Sequence, residues 1–396
     1  MAKNHSELHS HYIIDGRRME ASPFRMLESA CGRGTCTCPE GEEEIIDESV
    51  DPSPCTLETD LSRIRYYILR LSSFPQREIL QLSYAETGAR AALCFSIIDT
   101  IWSRGHFRLE DLCVATSFKC DRTLVGARAA LYMAVASVCD YLDCLGLRMS
   151  SYSLSFSEKD LPGVAISIRP SIDREERLKD DREDGDIYDT DPFTSGGLLP
   201  DEDPSILSKR QGRSRKCPST LRGDDEAWVV FIPFDTCSFS LGDSLLSKAM
   251  GQGGGKAPDI LDADYFLDCF EVVRELVEDG VAISGVTVGK GGLAMALEKI
   301  RSGRRLSIDL SGVMRSYGGT DPIAILFSEV PGVVIEISDS DYDYLDAELV
   351  LQDVAYYPIA HTCRREGELT VDLTSMGGVS AILQSLLDSQ AMEGED

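Results

Sequence analysis

The chain has 396 residues, 43% of them hydrophobic, and a formal net charge of -28. That length holds two or three domains with real cores. The acidity excludes nucleic acid as a general partner, because a phosphate backbone selects clustered Lys and Arg. No apolar run is long enough to span a bilayer, and the N-terminus MAKNHSELHSHYIIDGRR lacks a signal-peptide core. A cytoplasmic protein with no membrane partner is therefore expected.

Residues 1–56 are polar, Gly- and Glu-rich and aperiodic, and read as a disordered acidic tail. Cys31, Cys36 and Cys38 have C-x4-C-x-C spacing there, but the sequence nearby offers no fourth ligand for a tetrahedral metal. The other cysteines are scattered through core-like segments, as in a reducing compartment. From Leu57 the pattern changes. LSRIRYYILRL and ETGARAALCFSIIDTIWSRG have apolar residues at helical spacing. LEDLCVAT reads as a short strand and turn, and TLVGARAALYMAVASVCDYLDCLGL as a long helix stopped by Gly146. The hexapeptide GARAAL, at Gly88 and again at Gly126, marks two helices whose small residues allow close packing; two copies do not make a solenoid.

YSLSFSE and GVAISIR read as alternating strands. The stretch between Pro170 and Ala227 is first acidic and then basic, and its part from 173 to 226 is expected to be a disordered insertion. WVVFIPF then reads as a buried strand closing the first unit, residues 57–240. The second unit, 241–390, contains a loop with GQGGGK, the amphipathic helix YFLDCFEVVRELVEDG and the glycine turn and helix of GVTVGKGGLAMALEKI. RRLSIDLSG, ILFSEVPGVVIEIS and a terminal strand and helix follow. Helices alternating with strands in both halves give an α/β (α+β) class built of two units.

Few motifs carry chemistry. GQGGGKAP lacks P-loop spacing and follows no strand, so it reads as a flexible loop. No Gly-x-Ser-x-Gly elbow occurs, and His106 and His361 stand isolated. The carboxylate runs DILDADYFLD and SDSDYDYLDAE read as helix starts and solvated faces. GVTVGKGGLAMALEKI is more specific, because a glycine turn opening a helix can present backbone N–H groups to a phosphate. Leu293, Ala296, Leu297 and Ile300 fall on one face, so that helix should pack on a core with its N-terminus free. Lys290 is the turn's only charge, and it reads as a solvated residue or as a cation facing a phosphate directly.

This stretch resembles the H-D-[VI]-S-D-G-G-L-x-x-x-L-x-E-M motif of the AIR synthase superfamily, in particular the second AIR-synthase-like half of phosphoribosylformylglycinamidine synthase. ILFSEVPGVVIEIS resembles that family's L-F-[SGA]-E-x-P-G-x-V-x-x-V, and LSIDLSG its preceding strand. WVVFIPFDTCSFSLGDSLLSKAMGQ resembles its strand followed by L-G-G-[ST]-x-L-x-Q. MSSYSLSF stands where the family has G-G-K-D-S-L-S-M, and TGARAAL where it has G-A-R-x-A-x-A-E-A. The likeness runs from about Ser83 to Glu368. It implies an AIR-synthase-like two-domain fold, an N-terminal sheet with helices and a C-terminal α/β unit. It also implies a reaction in which ATP activates an amide oxygen and ammonia displaces it to give an amidine.

The departures fall on the chemistry. The resemblance implies Mg²⁺ held by acidic residues against nucleotide phosphates, yet the aspartates of D-x-S-D are Thr287 and Lys290 here. The first four residues of G-G-K-D-S-L-S are Met149, Ser150, Ser151 and Tyr152, the second glycine of L-G-G-[ST] is Asp243, and D-V-K-C-S-G-N-W is replaced by DLCVATSF. Lys290, Gly291, Gly292, Ser153, Ser155 and Asp111 remain as candidate nucleotide contacts, with no catalytic or metal-ligating residue among them. The expectation is a catalytically degenerate phosphoribosylformylglycinamidine synthase-family protein acting as subunit, scaffold or regulator. No cofactor is expected, with ATP and magnesium bound only if the altered site still works. An active ATP-dependent ligase of purine biosynthesis is the alternative, and an interaction protein using the charged insertion is the second. The resemblance implies pairing, as a homodimer or as a heteromer with a related AIR-synthase-like chain.

Overall fold

The structure, a computed structural model, describes residues 6–31, 45–48, 63–72, 79–157, 161–172, 216–223, 226–251 and 255–371. The N-terminal elements are α1 (Ser6–His9), β1 (His11–Ile14), β2 (Arg17–Arg18), α2 (Pro23–Cys31), β3 (Ile45–Glu48) and α3 (Ile64–Ser72). Next come β4 (Ile79–Leu80), α4 (Ala85–Ile98), β5 (Leu112–Cys120), α5 (Ala127–Cys144), β6 (Arg148–Phe156) and β7 (Val164–Ile172). Then follow β8 (Trp228–Pro233), α6 (Leu245–Ala249), α7 (Ala263–Glu278), β9 (Ala282–Val288), α8 (Gly292–Arg301), β10 (Leu306–Ile308) and α9 (Ser311–Ser316). The described chain closes with α10 (Pro322–Phe327), β11 (Gly332–Ile337), α11 (Tyr342–Leu351), β12 (Tyr357–His361) and β13 (Leu369–Val371). The class is mixed α/β, as the alternation of periodicities implies.

The first sheet has the order β4-β7-β5-β6, with β6 parallel to β5 and β7 antiparallel to it. Alternation along β5 turns Leu112, Val114 and Phe118 inward, into a core shared with α4 and α5. On the opposite face Ser117 lies in register with Ser153 of β6 and Ser167 of β7. The second sheet has the order β12-β8-β11-β9. β11 is buried at every position and β8 at all but its first, which is why GVVIEI and WVVFIP read as near-continuous apolar runs. Ile232, Val333 and Ile335 face the core that holds α4, α5 and α7, whereas Phe231, Val286 and Val334 face a second core with α3, α8 and α10.

Several expectations are corrected. β8 does not close the first unit at 240; it sits inside the second sheet, antiparallel to both β11 and β12. α3 likewise joins the second core, where the Tyr67 ring meets Phe327 edge-on at 6.0 Å. Chain order alone groups both with residues 57–240. The supposed structureless tail is folded wherever it is described. β1 pairs with β2 and β3, and Leu8, Tyr12, Leu27 and Ile46 are buried. Elements of two to nine residues are too short to show a period, so only their contacts with α5 reveal them. β5 runs nine residues rather than a short strand. WVVFIPF needs cover on both faces and has it within this chain, whereas YSLSFS turns its serines outward, so neither strand leaves a broad apolar face. The expected insertion beyond Ile172, Cys36, Cys38 and the terminal helix lie outside the described residues, apart from 216–223 and Glu226.

Residues 216–223 link the segment after α4 to the second sheet and α8. Lys216 N–H donates to the Trp102 carbonyl at 2.8 Å, Gly285 N–H to the Pro218 carbonyl at 2.8 Å, and Leu221 N–H to the Ile300 carbonyl at 2.9 Å. Glu336, fully buried in β11, accepts from Arg222 N–H, Gly223 N–H and the Ser284 hydroxyl at 2.8, 2.6 and 2.7 Å.

Candidate functional site

The glycine turn forms between β9 and α8 as the sequence implies, and Leu293, Ala296, Leu297 and Ile300 are all buried. Gly291 caps the helix at φ +84° and Gly292 follows at φ +67°. A Cβ on Gly292 would stand 2.6 Å from the Ser328 carbonyl oxygen, so only glycine fits this left-handed, close-packed position.

The N–H group of Gly291, at the mouth of the turn, already has an anion. Glu329, 6% exposed, accepts from Gly291 N–H at 2.9 Å and from Leu245 N–H at 2.8 Å through Oε1. Its other oxygen lies 3.0 Å from Lys290 Nζ. One carboxylate thus satisfies donors at the starts of α8 and α6 and pairs with the turn's lysine. Lys290 also lies 5.9 Å from the centre of the Phe95 ring. The reading of Lys290 as a solvated residue is corrected: its side chain is only 25% exposed and is ion-paired.

Beside this cluster Asp243 sits at φ +59° with its carboxylate 2.6 Å from Lys248 Nζ. Burial pushes its pKa up, against the pull of Lys248 and Lys290. Gly88 of α4 makes room for it, since a Cβ there would lie 3.3 Å from Asp243 Oδ2 and 2.9 Å from Leu80 Cδ2. Thr87, Gly88, Asp243, Pro258, Lys290 and Glu329 line a cavity of about 20 Å³, space for about one water. The raised pKa gives a signed expectation. The stability contributed by this carboxyl is full below the ordinary carboxylate range and is lost as pH rises through the raised native value. Melting curves of the wild type and Asp243→Asn between pH 4 and 7 should therefore shift against the wild type as pH rises. A constant difference across this range would contradict the assignment.

The other sequence candidates lie elsewhere. Ser153 donates to the Ser117 hydroxyl at 2.9 Å on the outer face of the first sheet, and Ser155 projects from the same face. Asp111 accepts from Arg108 N–H at 2.7 Å and closes the short turn before β5. Thr287 accepts from Trp102 Nε1 at 2.9 Å and donates to Asp99 at 2.5 Å. Met149 is buried, its sulfur 3.5 Å from the Thr116 hydroxyl. Magnesium prefers six oxygen ligands in octahedral array. Among the described residues no group of three or more His, Cys, Asp or Glu side chains is placed to hold a metal. Glu329 is engaged through both oxygens, and Thr287 through its hydroxyl. This donor set does not match magnesium–nucleotide binding. Sequence reasoning missed the role of Glu329, although it stands in the quoted SEVPG stretch, because its partners are far away in the chain.

No family model matches the chain. Phosphoribosylformylglycinamidine synthase subunit PurL of Caldivirga maquilingensis is 29% identical over 156 residues, 39% of this chain and 21% of that protein. Phosphoribosylformylglycinamidine synthase of Homo sapiens is 22% identical over 124 residues, 31% of this chain and 9% of that protein. Over these stretches the chain is similar to phosphoribosylformylglycinamidine synthases. An AMP phosphorylase of Methanocella arvoryzae is also 29% identical, over 127 residues, 28% of this chain and 24% of that protein. Among solved structures, T. maritima PurL complexed with FGAR superposes with a TM-score of 0.49 at 14% identity, over 78% of this chain and 48% of that one. The chain spans about a fifth of the curated subunit it matches and about half of the solved one.

Proposed function

We propose that this is a catalytically degenerate member of the phosphoribosylformylglycinamidine synthase family, acting as a subunit, scaffold or regulator. The observation that carries the reading is the closed turn. Its helix N-terminus is occupied by Glu329, its lysine is paired with that carboxylate, and the cavity beside them has room for about one water. A phosphate entering here would have to displace a buried carboxylate from two backbone donors and one cation. The reading includes association with a second AIR-synthase-like chain, identical or related. The first sheet offers β6 as an edge with a hydroxyl-bearing outer face, and edge strands are paired or covered in most proteins.

Thermal melting with and without magnesium and ATP tests the first half. A ligand at 100 times its dissociation constant stabilises by about 2.7 kcal/mol, so binding would be plain in the melting curve. The expected result is no shift; an upward shift would overturn the closed-site reading in favour of an active ATP-dependent ligase component. Light scattering on the same sample, with and without a chain carrying the other AIR-synthase-like half, reads the second half. A mass of one chain under both conditions would remove the pairing.

A further inference from the structure

α11 is apolar on both sides. Leu345 and Leu349 are fully buried in the core that also holds Val272 and Leu276 of α7. On the other side Tyr344, Val350 and Leu351 are 45%, 65% and 78% exposed. Tyr344, Ala347 and Leu351 recur at i, i+3 and i+7, one stripe about two turns long. The described residues expose eight large hydrophobic side chains, and three of them sit on this one helix. A surface helix that buries one stripe turns charged residues to water on the other side. A second apolar stripe therefore marks a face that another molecule covers.

The chemistry of that molecule follows from what borders the stripe. α7 runs alongside in the opposite direction. Near its start the Tyr265 hydroxyl accepts from Ala355 N–H, just beyond the end of α11, at 3.0 Å. At its other end Glu275 and Asp279 lie beside Tyr344: partial burial, and then the carboxylates of Glu348, Asp279 and Glu275, push the pKa of that tyrosine up. Asp268, Glu275 and Asp279, at i, i+7 and i+11, fall on one side of α7. Asp343 and Glu348 flank the stripe on α11 itself. α11 has no basic residue, and α7 has only Arg274, which is buried. Among the described residues no basic side chain pairs with Asp268, Glu275 or Asp279. Two copies meeting through this stripe would set carboxylates against carboxylates, and an anionic lipid surface would be repelled. A partner with Lys or Arg beside its own apolar stripe gains both burial and charge complementarity.

We propose that the outer face of α11, with the acidic flank of α7, docks a basic amphipathic helix of a partner protein. The partner's apolar stripe seats on Tyr344, Ala347 and Leu351, and its flanking Lys or Arg side chains meet Glu275, Asp279 and Glu348. This surface is carried by helices over the second sheet, so it is separate from the β6 edge and independent of whether the glycine turn binds ATP.

Fluorescence anisotropy on the full chain tests this with a labelled synthetic peptide of about 18 residues, Leu at i, i+3, i+4 and i+7 and Lys elsewhere. It should bind at least about tenfold more tightly than a scrambled peptide of the same composition, and less tightly as salt rises. Tyr344→Ala/Leu351→Ala alters exposed side chains only, so the melting curve should stay in place while binding falls by about tenfold or more. Glu275→Gln/Asp279→Asn should weaken binding and flatten its salt dependence. Asp47→Asn/Asp143→Asn, which removes two exposed charges from β3 and α5, should change neither. Absent binding, or equal binding of the scrambled peptide, would overturn the proposal, and so would full binding by Tyr344→Ala/Leu351→Ala. Self-association of the full chain that this variant abolishes would also overturn it, by assigning the face to a second copy.

Discussion

Glu329→Ala is expected to be among the most damaging single substitutions in the chain. The carboxylate is buried and accepts from two backbone N–H groups, at Gly291 and Leu245, while facing Lys290 at 3.0 Å. Its removal leaves two donors without a partner, at about 1–3 kcal/mol each when buried, and a half-buried lysine without its counter-charge. Removing one partner from a buried pair costs about 3–5 kcal/mol. A domain of about 150–250 residues shifts by about 2–4 °C per kcal/mol and a larger one by less, so for this chain of 396 residues the melting temperature should fall by several degrees. Glu329→Gln keeps an acceptor for both N–H groups and loses only the charge, so it should cost less. A cycle with Lys290→Met then isolates the pair: Glu329→Gln should be milder in the Lys290→Met background than in the wild type. Strict additivity of the two single changes would mean that the pair is not coupled.

How much of this was legible beforehand varies with the range of the interaction. α4, α5, α7 and α8 were readable because each carries an apolar stripe over ten or more residues with local start and stop signals, such as Asp262 accepting from Tyr265 N–H and Gly146 at φ +67°. Within the candidate site, the glycines of the turn and the buried face of α8 were readable for the same reason. The occupant of the turn was not. Glu329 lies 38 residues from Gly291 and 84 from Leu245 in sequence, and no periodicity connects them. The placement of β8 failed similarly, since a buried strand looks alike in either sheet. The folded N-terminal residues were hidden by short elements and by a composition that resembles a solvated tail.

The acidic excess also reads differently in three dimensions. Part of it is internal, where carboxylates satisfy backbone N–H groups at element ends. Glu48 of β3 accepts from Ala129 N–H at 3.2 Å in the first turn of α5 and pairs with Arg128 at 2.7 Å. Asp235 accepts from Leu261 and Asp262 N–H, both at 3.1 Å, at the start of α7, with its pKa raised by burial. Glu271 accepts from Leu109 N–H at 2.9 Å. With Glu329, these anions occupy the donor sites at which an outside anion would otherwise bind. This is a physical reason why a chain with glycine turns and helix N-termini need not be a phosphate binder.

Glu336→Ala should produce the second large effect, and a localised one. Glu336 is fully buried in β11, and its three donors all come from other segments: Arg222 N–H, Gly223 N–H and the Ser284 hydroxyl. Two of them belong to residues 216–223, whose other anchors are Trp102, Gly285 and Ile300. Losing the carboxylate leaves two backbone donors buried without an acceptor, a cost of about 3 kcal/mol or more, and weakens the tie of this segment to the second sheet at its C-terminal end. Ser284 can turn its hydroxyl to another acceptor, whereas Arg222 and Gly223 have no such freedom, so the segment itself should open first. Hydrogen exchange should rise at 219–223 before the strands of the second sheet respond, and trypsin should cut after Arg222 faster than in the wild type. Glu336→Gln, which retains one carbonyl acceptor, should fall between the two. Uniform exchange across the whole second sheet, with no early opening at 219–223, would show that Glu336 supports the sheet and not the tie.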